Sequence, residues 1–117
     1  MFRIKATGPT RMDLAGGTLD IWPIHHLINE KATINIAIDL NSTVEIKPAT
    51  NSSYSVQSKD QNIHIQGSFD KIINNSAFPL LSIIIKSLWR KELPPLEITT
   101  HAKSPQGAGI GGSSALA

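Results

Sequence analysis

Cysteine is absent from this 117-residue chain, which excludes a disulfide framework and any thiolate metal site. No long apolar run occurs either. The stretch near Leu80 to Leu88 is broken by Ser82, Lys86 and Ser87 and is too short to span a bilayer. The opening Met-Phe-Arg-Ile-Lys lacks the apolar segment of a signal peptide, so a cytoplasmic protein without a membrane partner is expected. Sequons at Asn41, Asn51 and Asn74 therefore have no secretory context. A surplus of one charge is also missing. Eleven Lys and Arg against nine Asp and Glu leave +2, and the basic residues are scattered. Despite an isoelectric point near 9.1, no basic cluster interleaved with aromatics marks a nucleic-acid partner. A hydrophobic fraction of 40% with eight glycines is ordinary for one small globular domain.

Periodicity organises the first half as strands. Phe2, Ile4 and Ala6 alternate with Arg3 and Lys5, and Ile34, Ile36, Ile38 and Leu40 alternate with Asn35, Ala37 and Asp39. After a break at Asn41-Ser42 come Val44 and Ile46, then Tyr54 and Val56, then Ile63 and Ile65. A period of two with Asn, Ser, Gly and Asp punctuation predicts an antiparallel sheet. A short helical turn is predicted around Trp22 to Ile28, opened by Pro23. A helix is predicted from Ser76 to Lys91. Asn75 or Ser76 would cap it, Pro79 would sit in its first turn, and Lys86, Arg90 and Lys91 would complement its C-terminal end. Its apolar residues cover more than one face, so it should be deeply packed. A strand follows at Leu96 to Ala102. The expected class is α+β, a mostly antiparallel sheet carrying packed helices.

The segment Ser104-Pro-Gln-Gly-Ala-Gly-Ile-Gly-Gly-Ser-Ser-Ala115 holds four of the eight glycines. Glycine adopts φ > 0 without a Cβ penalty, and consecutive N–H groups in such a turn form a concave nest for an anion. A helix opening at about Gly111 would point its unpaired N–H groups into the same space. Gly107-x-x-x-x-Gly112 begins like a P-loop, but Ser113 stands where that motif needs lysine. Gly107-x-Gly109-x-x-Gly112 matches the dinucleotide fingerprint formally, yet Lys103 to Gln106 intervene after the strand and the preceding sheet reads as antiparallel. A plain Gly/Ser connector is the bland alternative, though such connectors do not usually join a strand to a helix opening.

Pro105-Gln-Gly-Ala-Gly-Ile-Gly-Gly-Ser-Ser-Ala115 resembles the ATP-binding signature of the GHMP kinases, roughly Pro-x-x-x-Gly-Leu-Gly-Ser-Ser-Ala, with Ile110 for Leu and an extra Gly112. Gly8-Pro-Thr-Arg-Met-Asp-Leu-Ala-Gly-Gly-Thr-Leu-Asp20 resembles the substrate motif of their sugar-kinase branch, roughly Ala-Pro-x-Arg-Ile-x-x-x-Gly-Gly-x-Thr-Asp. Gly8 replaces Ala, and Thr18-Leu19-Asp20 replaces Thr-Asp. That branch includes heptose-phosphate and fucose kinases. Ile36-Ala37-Ile38-Asp39 looks like the Ala-Ile-Asp that follows this motif.

The resemblance implies a ribosomal-protein-like β-α-β domain and ATP- and Mg²⁺-dependent phosphorylation of a hydroxyl on a sugar or sugar phosphate. It implies ATP contacts from Pro105, Gly107, Ala108, Gly109, Ile110, Gly111, Gly112, Ser113 and Ser114. Mg²⁺ would be held by Ser114, with Ser113 second. Arg11 would act near the reacting hydroxyl and phosphate, and Gly16, Gly17, Thr18 and Asp20 would bind substrate. Each has a plain structural alternative: helix capping for the serines and for Asp20, a turn for Gly16-Gly17, a local ion pair with Asp13 for Arg11. The four histidines read as solvated or locally bonded, Trp22 as packing, and Asp39 as structural. Family members are considerably longer. Residues 1–117 are therefore expected to be the N-terminal part of such a domain, inactive alone, with an uncovered apolar surface through which the chain can self-associate. A mevalonate-type small-alcohol kinase and a non-catalytic nucleotide- or sugar-binding module remain as alternatives.

Overall fold

The structure, a computed structural model, describes residues 2–29, 31–90 and 92–116; of Asp20, Ser113 and Ser114 it describes the backbone alone. Strands β1 (Ile4–Ala15), β2 (Ile34–Pro48), β3 (Tyr54–Ser58), β4 (Ile63–Gly67) and β5 (Leu96–Ala102) form one sheet in the order β1-β2-β5-β3-β4. Three of its four pairings are antiparallel, and β3 lies parallel to β5. A parallel pair needs a crossover, and β4 with helices α2 (Phe69–Ile73) and α3 (Pro79–Leu88) supplies it. Two short helices complete the chain, α1 (Ile24–Leu27) and α4 (Gly112–Leu116).

The break expected at Asn41-Ser42 is a shift of register inside one continuous strand. Pro9 pairs with Asn41, but Thr10 pairs with Ile38, so Asp39 and Leu40 have no partners on β1. Pro9 has no N–H to give to the ladder, while the Thr10 hydroxyl donates to the Leu40 carbonyl at 2.8 Å and replaces a lost backbone bond. The Asp39 carboxylate accepts from the Asn41 side chain at 2.6 Å, in keeping with a structural role.

The helix expected over 76–91 is shorter and has a companion. Ser68 caps α2, its hydroxyl accepting from Lys71 N–H. The chain then turns at Asn75, whose side chain accepts from Ala77 N–H at 2.8 Å. Phe78, not Asn75 or Ser76, is the cap residue of α3, and Pro79 takes its first turn as expected. The helix stops because Trp89 turns extended, with its indole N–H on the Tyr54 hydroxyl at 2.9 Å. Arg90 therefore lies past the end, and Lys91 lies outside the described residues.

Val56, Ile72, Phe78 and Ile98 form the buried core, with Val44, Ile46, Leu81 and Ile85 packed around it. Each such aliphatic side chain contributes about 1.5–3 kcal/mol on burial. Packing of α3 is one-sided, contrary to expectation: Ile83 and Leu88 are 65% and 71% exposed, so a second apolar face meets no partner among the described residues. Trp22, expected to pack, is 74% exposed, because its neighbourhood is only a 3-10 turn at Gly17–Asp20 and the single turn of α1. The other sheet face is polar and carries the ion pairs Arg3–Glu45 (2.8 Å) and Lys47–Glu97. His64 and His101 lie in strands, and His64 bonds locally to the Ser55 hydroxyl at 2.9 Å. No helix among the described residues is long and apolar enough to cross a membrane.

Candidate phosphate site and the strand beside it

After β5 the chain enters a glycine loop that is strapped at its base from two sides. Lys103 N–H donates to the Asn41 carbonyl at 3.1 Å. From the β3–β4 turn, the Asp60 carboxylate accepts from Ala102 N–H at 3.0 Å and from the Ser58 hydroxyl at 3.2 Å. Lys59 N–H reaches the Thr100 carbonyl at 2.9 Å. The loop therefore leaves a fixed strand end. Nothing in the sequence signals this clamp, since Asp60 lies far from Ala102 along the chain and has no motif around it.

Gly107, Gly109 and Gly111 have φ of 76°, 69° and 74°. The left-handed residues alternate with Ala108 and Ile110, a backbone pattern found in anion-binding nests. A Cβ at Gly107 or Gly109 would meet nothing within 4 Å, so at these positions glycine serves the backbone angle and not the space. Gly112 differs, because a Cβ there would stand 2.5 Å from the Ser104 hydroxyl. The loop lines a cavity of about 230 Å³ that reaches from Gly112 back through Pro105 to Asp60 and Gln61. Gly112, rather than Gly111, is the first residue of α4, and Ala115 N–H bonds to the Gly111 carbonyl at 3.0 Å. Pro105 begins a turn in which its carbonyl accepts from Ala108 N–H at 3.3 Å. Ser113 and Ser114 lie in the first turn of α4, and their side chains lie outside the described residues.

The two motif segments, far apart in sequence, meet at Arg11. Its backbone N–H donates to the Ile110 carbonyl at 3.1 Å, and its Cγ lies 3.9 Å from where a Cβ on Gly111 would be. Gly8 faces α4, and a Cβ there would stand 3.5 Å from the Ala115 carbonyl oxygen, an ordinary contact that an alanine could make. The local pair named as the alternative for Arg11 does form: Arg11 Nε stands 3.8 Å from Asp13 Oδ1. Residues i and i+2 of a strand point to the same face, which is why the two side chains meet.

The Gly16-Gly17 pair is a turn. Gly16 has φ 79°, and the Ala32 carbonyl oxygen occupies the space a Cβ would need. Its own carbonyl accepts from Leu19 N–H at 3.0 Å and from the Thr33 hydroxyl at 3.4 Å. A Cβ on Gly17 would lie 2.8 Å from Asp13 Oδ2. Thr18 is exposed, and the backbone of Asp20 closes the same 3-10 turn while its side chain lies outside the described residues. The chain's own backbone, at Ala32, fills the Gly16 side of this turn.

No family model and no curated protein sequence matches the chain. Solved structures do. The mevalonate kinase of Methanococcus jannaschii superposes with a TM-score of 0.72 at 21% identity, over 98% of this chain and 37% of that one. A D-glycero-D-manno-heptose 1-phosphate kinase from Bacteriodes thetaiotaomicron gives 0.71 at 23%, over 98% and 38%. A phosphomevalonate kinase of Streptococcus pneumoniae, solved with phosphomevalonate and AMPPNP, gives 0.59 at 16%, over 99% and 33%. The chain thus has the fold of the N-terminal part of the GHMP kinases, and it spans about a third of the length of these matches.

Proposed function

We propose that this chain, with the fold of the N-terminal part of a GHMP kinase, belongs to an ATP- and Mg²⁺-dependent enzyme that phosphorylates a hydroxyl of a sugar or sugar phosphate. The observation that carries the proposal is the alternation of left-handed glycines at 107, 109 and 111 beside a cavity, with Arg11 bonded to the same loop. Phosphoryl transfer depends on positioning and on donors for phosphate charge. The loop's N–H groups supply donors in a preset geometry, which costs little reorganisation when charge develops.

Pro105 to Gly112, with Ser113 and Ser114, form the nucleotide loop in this proposal. Arg11 reaches the transferring phosphoryl group and the acceptor hydroxyl, and Gly16, Gly17, Thr18 and Asp20 border the acceptor. Mg²⁺, when bound, neutralises charge on the terminal phosphates. Ser114 is the residue assigned to it, with Ser113 second. The described residues include no group of three or more His, Asp or Glu side chains that could hold a metal ion.

The Gly8–Asp20 motif and the extra Gly112 favour a sugar acceptor. A mevalonate-type acceptor stands as the second reading, because a mevalonate kinase superposes as well as a heptose phosphate kinase does. The test is MgATP consumption by the complete kinase this proposal predicts, offered free hexoses, heptose phosphates and mevalonate. Turnover with one sugar is expected. Turnover with mevalonate alone would reject the sugar assignment, and no turnover with any acceptor would favour a binding module.

A further inference from the structure

Asp13 joins the two halves of the candidate site. Its Oδ1 stands 3.8 Å from Arg11 Nε, and the same carboxylate packs on Gly17, where a Cβ would lie 2.8 Å from Oδ2. The stem of Arg11 passes Gly111 on its other side. Glycine loop, arginine, carboxylate and Gly-Gly turn therefore follow one another in space. The segment Gly8–Asp20 contains one basic residue, Arg11, against two acidic ones, Asp13 and Asp20. The charge that an anionic acceptor would seek is thus already faced by a carboxylate.

From this juxtaposition we infer that the acceptor is a neutral polyol, a free sugar rather than a sugar phosphate or a carboxylate-bearing alcohol, and that Asp13 sets this selectivity. The inference rests on the kinase reading above and narrows its substrate class. A guanidinium only donates hydrogen bonds and a carboxylate only accepts them, while a sugar hydroxyl does both and can bridge the pair. The charged group of an anionic acceptor could use only the guanidinium at Arg11, which the transferring phosphoryl group also claims, and would sit a few ångströms from the Asp13 charge. The side chains of Arg11 and Asp13 are 64% and 38% exposed, so a ligand can reach both. A Cβ on Gly17 would push the carboxylate out of this position.

An exposed pair of this kind adds little to stability, so Asp13→Asn should fold normally. The test is an NMR titration of the complete kinase and of its Asp13→Asn variant at constant ionic strength. D-galactose and D-mannose serve as neutral probes; mannose 6-phosphate and mevalonate serve as anionic acceptors. Arg11 Nε–H and the Asp13 and Gly17 amides are followed. In the parent chain the sugars should bind more tightly than the anions. In Asp13→Asn the anions should gain about five-fold or more, the scale of one unit charge removed at about 4 Å in water, while the sugars weaken. Anions binding the parent chain as tightly as the sugars would overturn the inference. So would an unchanged anion affinity in Asp13→Asn, or no response of Arg11 and Gly17 to any probe. Inorganic triphosphate, read at Gly107, Gly109 and Gly111, reports the kinase reading separately, so either can fail alone.

Discussion

Gly109→Ala isolates what the nest contributes. The residue sits at φ 69°, and a Cβ there meets no atom within 4 Å, so steric crowding plays no part. The cost is the left-handed conformation of an L residue, about 1–2 kcal/mol. No core side chain depends on the loop, so the loop can relieve that cost by leaving its left-handed geometry. The domain should then keep its melting temperature within a degree or two while the nest is depopulated. If binding requires the nest, triphosphate affinity falls by the same free energy, roughly five- to thirty-fold on the scale where 1.4 kcal/mol is ten-fold. Gly8→Ala is the matched control, because a Cβ there makes only an ordinary contact at 3.5 Å. Calorimetric titration with inorganic triphosphate and thermal melts of the three proteins measure both quantities. Unchanged triphosphate affinity in Gly109→Ala would refute the reasoning, as would an equal loss in Gly8→Ala.

Other perturbations test the scaffold. Ile98→Ala, in the centre of the core, should cost about 2–5 kcal/mol in a urea melt, whereas Leu88→Ala, at a position 71% exposed, should cost well under 1 kcal/mol. Asp60→Ala removes the acceptor for Ala102 N–H and the Ser58 hydroxyl; it should raise amide exchange at Ala102 and weaken triphosphate binding several-fold, and Asp60→Asn should restore much of both. On the polar sheet face, the hydrogen bond from Arg3 holds the Glu45 carboxyl below the usual range for glutamate. A depressed carboxyl stabilises the fold above its unfolded value, near pH 4.3, and loses that contribution as the pH falls through its lower folded value. The stability difference between the parent chain and Glu45→Gln should therefore shrink on acidification from pH 6 to pH 3, seen as converging melting temperatures.

Local chemistry made much of the fold legible. Alternation at Val44 and Ile46 and at Leu96 to Ala102 marks strands because one face of each packs toward the core, and Pro79 marks the first turn of α3 because it needs no N–H there. What escaped was decided by tertiary partners. The α3 cap falls on Phe78 because Asn75 is used in the preceding turn. The Pro9/Thr10 register shift depends on a hydroxyl bonding across to Leu40, which no single strand reveals. At the candidate site the glycine spacing foretold left-handed residues, yet the Asp60 clamp and the Arg11–Ile110 bond join distant segments. Asp13 was visible only as a rival for Arg11, since its packing on Gly17 requires the turn to be folded.

The account stands most directly on where a polyphosphate chain binds. An amide chemical-shift map of the protein titrated with MgATP should show its largest shifts at Gly107 through Gly112, with Arg11 following through its bond to Ile110. Shifts centred elsewhere, with these glycine amides unmoved at saturation, would contradict it.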